Sequence, residues 1–292
     1  METIINGMIL AGSLLMVSNI YQYIKFLVKS QGIMTGGKLQ KIFLQDGALV
    51  LLVLFLLGYL CVLFLGDPTL TIGGILFGGS IFVAIVEMLM FKLIGIVQKN
   101  SRELSEALIV TIEARDPELN GHSLVVRDLA KLFYWYLPKR MRKEINPVSL
   151  EYAALLHDLG KFGVPETILY KPDRLNDKEW DVVRMHPKIG AEIVRQVSSF
   201  SDMSDWIEYH HEKVDGTGYY GISGDDIPLP ARIIAVVDTY SVIRMSRSYK
   251  GQKSHEEAME IINAVAGTQL DAELVTYFSA IPEHKIEKCV VR

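Results

Sequence analysis

Residues 48–65 read ALVLLVLFLLGYLCVLFL, eighteen positions without a charged residue or a proline. A helix rising 1.5 Å per residue needs about 20 apolar residues to cross the hydrocarbon core of a bilayer. A soluble core helix of this composition would be unusual, so the stretch predicts a membrane span. Outward from it, apolar runs at about 5–28 and 70–96 predict two more. The first reads as a span rather than a cleaved leader, because its leading residues include Glu2 and no Lys or Arg.

The bases orient these spans. Lys25, Lys29, Lys38 and Lys41 lie in or beside the first loop, and Lys92, Lys99 and Arg102 flank the end of the third span. The loop between spans two and three is a Gly66-Asp67-Pro68 turn with no base. The positive-inside rule then predicts an outside N-terminus and a cytoplasmic chain from about residue 97 onward.

Composition separates the rest of the chain from this membrane part. The 292 residues are 50% hydrophobic and 22% charged, with a mean hydropathy of +0.24. Only six of 30 Lys and Arg, four of 34 Asp and Glu, and none of seven His precede residue 101, so the remainder carries a formal −6. The chain is too apolar to be disordered. No long basic tract suits a nucleic acid backbone, so a nucleic acid polymer is not an expected partner. Cys61 and Cys289 cannot build a disulfide framework or a zinc–thiolate site. Any metal site must therefore use His and carboxylates.

Within span three, Gly74 and Gly78 form a G-x-x-x-G pair that reads equally as a homodimer contact or as packing against the other spans. Glu87 lies near the cytoplasmic end of the run, where snorkelling to the interface is the expected behaviour. Residues 98–115 predict a connecting helix with Leu104, Leu108 and Ile112 on one apolar stripe. From 116 to 292 the periodicity predicts helices and no strands: 123–137, 149–159, 188–198, 202–212, 231–246, 254–265 and 270–279. One more starts at Asn176, with Glu179 placed for a capping box. The expected fold class is all-α, three transmembrane helices followed by a cytoplasmic helical bundle of 116–292. Trp135, Trp180 and Trp206 are expected in its core, and His255 and His284 in solvent.

Candidate chemistry sits on the histidines. His157-Asp158 ends a helix whose Leu150, Ala153 and Ala154 share the face of His157, so the imidazole points inward. An imidazole can hold one metal while the adjacent carboxylate bridges to a second. His210-His211 follows Trp206 and Ile207, and Asp215, Gly216, Gly218 and Tyr219 make a turn where backbone approaches a ligand. His122, His186 and Asp238 complete the set. Asp238 follows five apolar residues, where an unpartnered carboxylate is costly. Five histidines and two aspartates without thiolate suit iron, manganese or zinc in an N/O site.

Residues 109–280 resemble the HD-GYP family of the HD phosphohydrolase superfamily. The shared words are DPELNGHS (116–123), AALLHDLGKFGVP (153–165), HPKIG (186–190), HHEKVDGTGY (210–219), IPLPARIIAVVD (227–238) and AGTQLD (266–271). The resemblance implies metal ligands at His122, His157, Asp158, His186, His210, His211 and Asp238. Glu118 takes the place where some members add a carboxylate for a third ion; a solvated loop acid is its other reading. Two or three divalent ions, iron or manganese, would be the cofactor. Two ions about 3.5–4 Å apart activate a shared water and bind phosphodiester oxygens. Asp158 would bridge them, Lys161 would contact phosphate, and Tyr219, Arg247 and Lys250 would hold the substrate. The implied activity is hydrolysis of cyclic di-GMP to linear pGpG or GMP at a bacterial inner membrane, with diguanylate cyclase domains as further partners.

Three departures bear on this expectation. The family tripeptide GYP reads Gly218-Tyr219-Tyr220, removing the proline that stiffens the loop. The D-x-[FY]-D word reads Asp238-Thr239-Tyr240-Ser241, and the following stretch differs at Arg244 and Ser248. They leave two rivals: a receptor or docking module that binds without hydrolysis, and a hydrolase for another cyclic dinucleotide.

Overall fold

Backbone amides in an apolar run must be bonded within the run, and the three apolar stretches do this as helices. They are α1 (Glu2–Lys29), α2 (Gly47–Leu65) and α3 (Leu70–Glu113). The computed structural model describes residues 1–29, 47–66, 69–113, 121–197, 200–245 and 253–290. The expectations for Glu118, Arg247 and Lys250, and for the Asp67-Pro68 turn, therefore lie outside the described residues. The chain divides into two units, Met1–Ser101 and Arg102–Arg292.

Three segments among the described residues are long and apolar enough to cross a membrane: Glu2–Phe26 and Gly47–Leu65 in the first unit, and Leu70–Ala107, whose last six residues fall in the second. α1 and α3 run parallel. Gly73 lies against Ile5, Asn19 Nδ2 donates to the Ser80 carbonyl at 3.3 Å, and Phe26 stacks on Phe91 with centroids 4.4 Å apart. Tyr59 of α2 is buried and donates its hydroxyl to the Leu76 carbonyl. The tightest approaches use Gly12 and Gly73. A Cβ on Gly74 would reach only Met8, at 4.0 Å, and one on Gly78 would meet nothing within 4 Å.

α3 continues past its apolar part to Glu113, as the connecting helix requires. Its inward face differs from the expected stripe, because Ser105 and Ile109 are buried while Leu104 is exposed. Arg127 pairs with Glu106, and Ile109 joins the core of the second unit. These contacts turn the helix one position away from the Leu104 register. The Leu108 and Ile112 side chains lie outside the described ones.

The second unit is all-α. It comprises α4 (His122–Tyr134), α5 (Lys139–Arg142), α6 (Pro147–Leu156), α7 (Glu166–Leu169), α8 (Asp177–Val183), α9 (His186–Arg195), α10 (Ser204–Glu208), α11 (Leu229–Met245), α12 (His255–Ala264), α13 (Ala272–Ser279) and α14 (Glu283–Val290). Among the described residues the sole β feature is an isolated Ala266–Leu270 bridge. Local chemistry sets several starts. Asn146 accepts from Val148 and Ser149 before Pro147, where a missing N–H costs nothing. Asn176–Glu179 and Ser254–Glu257 form reciprocal capping boxes. α4, α6 and α11 bury Leu129, Phe133, Leu150, Ile233, Ile234 and Tyr240 in one core, closed by Leu274 and Phe278.

Two tryptophans leave that core, contrary to expectation. Trp135 caps the end of α4, 64% exposed, with the Arg142 guanidinium 5.7 Å from its ring centroid. Trp180 is half-exposed on α8, a helix of two turns with no buried residue. Trp206 does pack on the core. His255 is also not free in solvent: it is half-buried, with Nδ1 2.9 Å from the Tyr240 hydroxyl.

Candidate metal centre

The elements that carry the histidines converge because small residues let backbones touch. His157 ends α6 and Asp158 opens a 3₁₀ turn, Leu159–Gly163. A Cβ on Gly160 would lie 1.9 Å from the His186 carbonyl oxygen and 2.6 Å from the Gly190 nitrogen. Only glycine allows the turn to sit on the start of α9, which sets Asp158 beside His186. His210 and His211 lie just beyond α10 rather than within it, their rings 4.0 Å apart. His122 opens α4, and Asp238 reaches the same place from α11.

All seven ligand candidates from the sequence come together, and six are buried, with His211 partly so. Asp158, His186, His210 and His211 present ligand atoms within 4.8 Å of one another, and so do His122, His157 and Asp158. Asp158 belongs to both groups. Its Oδ1 is 3.2 Å from His186 Nε2, and its Oδ2 is 3.3 Å from His157 Nε2 and 2.7 Å from Lys161 Nζ. Asp238 Oδ1 stands 3.0 Å from His122 Nε2 and 3.7 Å from His157 Nε2.

Four of these buried atoms, His157 Nε2, Asp158 Oδ1, His186 Nε2 and His210 Nε2, make no well-aligned hydrogen bond, although Asp158 lies 3.2–3.3 Å from the first two histidines as an ion-pair neighbour. A buried polar atom without a partner is rare and costly. The other ring nitrogen of each of these histidines is committed: Nδ1 of His157, His186 and His210 lies 2.8, 2.8 and 2.6 Å from the carbonyls of Ala154, Val183 and Ile207. Donating Nδ1–H there leaves the Nε2 lone pairs turned into the cluster, the arrangement a divalent cation needs.

The electrostatics favour neutral imidazoles at two of the histidines and not at His157. Burial lowers the His157 pKa, but Asp158 and Asp238 more than offset this and hold it at about 9. Burial and the neighbouring imidazoles push His210 well below its ordinary value. His211 is pushed down to about 4, chiefly by burial. Burial works against ionised Asp158 and Asp238, yet Lys161 with His157, and the His122 bond with His157, keep both carboxyls below the usual range. Asp158 and Asp238 thus supply anionic oxygens and His210 and His211 neutral imidazoles, while His157 would have to give up a proton to hold a cation.

Residues 106–274 match the family model for the HD domain. The chain belongs to the HD-domain family. The chain is 35% identical over 199 residues to a cyclic di-GMP phosphodiesterase of Vibrio cholerae, covering 63% of this chain and 40% of the relative. A 3'3'-cGAMP-specific phosphodiesterase of the same organism is 34% identical over 163 residues, 56% of this chain and 35% of that protein. A cyclic di-GMP phosphodiesterase of Pseudomonas aeruginosa is 45% identical over 111 residues, covering 37% and 26%. The chain spans about two fifths of the length of the first two Vibrio cholerae phosphodiesterases it matches. Among solved structures, a cyclic GMP-AMP-specific phosphodiesterase of Vibrio cholerae aligns over 64% of this chain and 53% of its own, with a TM-score of 0.45 and 17% identity.

Beside the candidate ligands, the Tyr219 ring lies 4.9 Å from the His211 ring, and the Arg184 guanidinium lies 5.9 Å from the Tyr219 ring centroid. The loop carrying Tyr219 is not slackened by the missing proline. Tyr220, where the family has proline, donates its N–H to Glu212 Oε1 at 2.7 Å, a bond proline could not make. Ile222 N–H donates to Glu212 Oε2 at 2.8 Å. Gly218 permits the close fold, since a Cβ there would sit 2.6 Å from the Glu212 Cα. Neither Glu212 nor Arg184 is among the candidates the sequence offers. Glu212 stands next to His211 in an ordinary charged stretch, and neither contact has a sequence signature.

Proposed function

We propose that this chain is a membrane-anchored, metal-dependent phosphodiesterase that hydrolyses cyclic di-GMP to pGpG or GMP at the cytoplasmic face. The observation that carries the reading is the set of four buried, unpartnered ligand atoms converging in an HD domain. Bound divalent ions supply Lewis acidity at the phosphodiester and a water acidic enough to act near neutral pH. His122, His157, Asp158, His186, His210, His211 and Asp238 would hold two ions, with Asp158 shared between the donor groups. Iron and manganese suit the donors, and Glu118 would add a third ion.

The remaining residues act on the substrate. Lys161 carries a flexible point charge beside Asp158, placed to meet a phosphate oxygen. The Tyr219 ring offers a stacking face for a base, with Arg184 adding a cation beside the same ring. Arg247 and Lys250 contribute further charge toward the phosphates. Three apolar helices, with bases concentrated beside the first loop and after the third span, support an outside N-terminus and a cytoplasmic catalytic part. On this reading 1–97 is the membrane region, 98–115 the connecting helix and 116–292 the catalytic domain.

A second substrate has a specific observation in its favour. Relatives named for 3'3'-cGAMP match at 32–34% identity, close to the 35% of a cyclic di-GMP relative. Purified full chain loaded with manganese or iron is expected to linearise cyclic di-GMP faster than 3'3'-cGAMP. Equal or reversed rates would transfer the assignment, and no product from either above a chelated control would remove it. In that last case retained binding of cyclic di-GMP would favour the receptor.

A further inference from the structure

Each histidine of the cluster needs its ring fixed before it can serve as a ligand, and the fixing is done in two ways. His157, His186 and His210 lean on the carbonyl three residues earlier in their own turns. His122 is the first residue of α4, so its own helix offers no such carbonyl. Its Nδ1 instead lies 3.1 Å from Ser241 Oγ on α11, 119 positions away in sequence. Both side chains are buried, Ser241 completely.

The bond has a direction. Ser241 has one hydroxyl proton, and Met245 Sδ accepts it at 3.4 Å. The serine oxygen is then placed to accept Nδ1–H from His122, whose Nε2 stands 3.0 Å from Asp238 Oδ1 at the edge of the cluster. A neutral hydroxyl orients the ring but polarises it less than a carboxylate would.

We propose that Ser241 is the positioning residue for His122 and sets the affinity of one metal ion independently of the other. It rests on the metal-centre reading above. His122 belongs to the donor group with His157 and Asp158, whereas the histidines Ser241 does not touch dominate the group of Asp158, His186, His210 and His211. Changing Ser241 therefore acts on the first group alone. Where the D-x-[FY]-D word has a second acid, this chain has Ser241, a neutral and weaker acceptor for the His122 ring.

The test is a Mn2+ titration of the full chain, purified in detergent and stripped of metal, read by calorimetry with ion counting. For Ser241→Ala the affinity of one ion is expected to fall by about 10-fold or more while the other stays unchanged, the loss typical of a removed supporting bond. Ser241→Thr keeps the hydroxyl and should restore it; Ser241→Asp should tighten the same ion. Unchanged affinities in Ser241→Ala, or both ions weakened equally, would overturn the proposal. Should Ser241→Ala fail to fold, Ser241→Asp decides, and no tightening of a single ion overturns it. A wild type that binds no Mn2+ at all removes the metal-centre reading itself, a result distinct from any difference between variants.

Discussion

Buried polar groups are treated oppositely in the two units. In Met1–Ser101, Ser13 donates to the Ile9 carbonyl, Asn19 to Ser80, Ser80 to Phe77 and Tyr59 to Leu76, so packing and satisfaction coincide. In Arg102–Arg292, seven ligand candidates crowd together and four of their atoms stay unpartnered. The first pattern is what lipid demands, where an unpaired polar group has no water to turn to. The second is tolerated only where something else offsets the desolvation cost. Glu87 is the exception in the apolar unit, with one buried carboxylate oxygen unpartnered.

The contrast breaks most sharply at Asp158, which both donor groups share. Asp158→Ala is expected to reduce hydrolysis by on the order of 10³-fold or more, since it removes a ligand from each ion and with them the transition-state charge stabilisation. Ion counting on the same sample should show metal lost from both groups. Full activity with bound metal unchanged would mean that the cluster is not the catalytic centre.

Glycines give the next largest effect and test the units against each other. Gly160→Ala forces a Cβ to 1.9 Å from the His186 carbonyl, against backbone that cannot swing aside. Overpacking of this kind costs about 3 kcal/mol. For a unit this size that is roughly 6–12 °C in Tm, measurable by circular dichroism on the purified chain. Gly78→Ala meets nothing within 4 Å in the apolar unit and should leave Tm unchanged. A loss there would point to a close contact with a second copy, the dimer reading of the G-x-x-x-G pair.

Patterns local in sequence were legible, and contacts across it were not. The apolar helix at 48–65, the Asn176 capping box and the inward turn of His157 follow from spacing, charge and residue type, and the structure has them. The residues of the cluster could be picked out because they sit in distinctive words, and the structure brings them together. Trp135 failed because aromatic character implies burial only where a neighbouring element covers the ring, and α4 ends there. The Leu104 stripe failed because Leu104, Ala107, Leu108, Ile109 and Val110 make several faces apolar, and the Arg127 pair chooses among them. Ser241 and Tyr220 read as losses in sequence because a family letter is absent. Their replacement bonds, to His122 and Glu212, come from residues 119 and 8 positions away.

Glu212 allows a finer comparison with the apolar unit. Its carboxylate accepts two backbone N–H groups and is buried beside the histidine cluster, so Glu212→Ala orphans both donors in the loop that carries Tyr219. Bonds to a charged acceptor are worth about 1.5–3 kcal/mol each, though the loop can relax into water. The expected result is a higher KM for cyclic di-GMP, with metal content unchanged. An unchanged KM would show that the loop needs no such hold.

The smallest effect is expected where satisfaction is already complete. Asn19→Ala removes one bond to the Ser80 carbonyl between α1 and α3. Interhelical bonds within a bilayer average only about 0.6 kcal/mol, because the separated helices find other partners there. The helix carbonyl at Ser80 retains its place in the backbone ladder, so no orphan is created. Hydrolysis and metal content should stay at wild-type levels, and unfolding in bicelles should shift by less than the Gly160 variant does. A loss of activity from Asn19→Ala with bound metal intact would show that the apolar unit conditions the HD domain, and would end the separation of a satisfied apolar unit from an unsatisfied candidate centre.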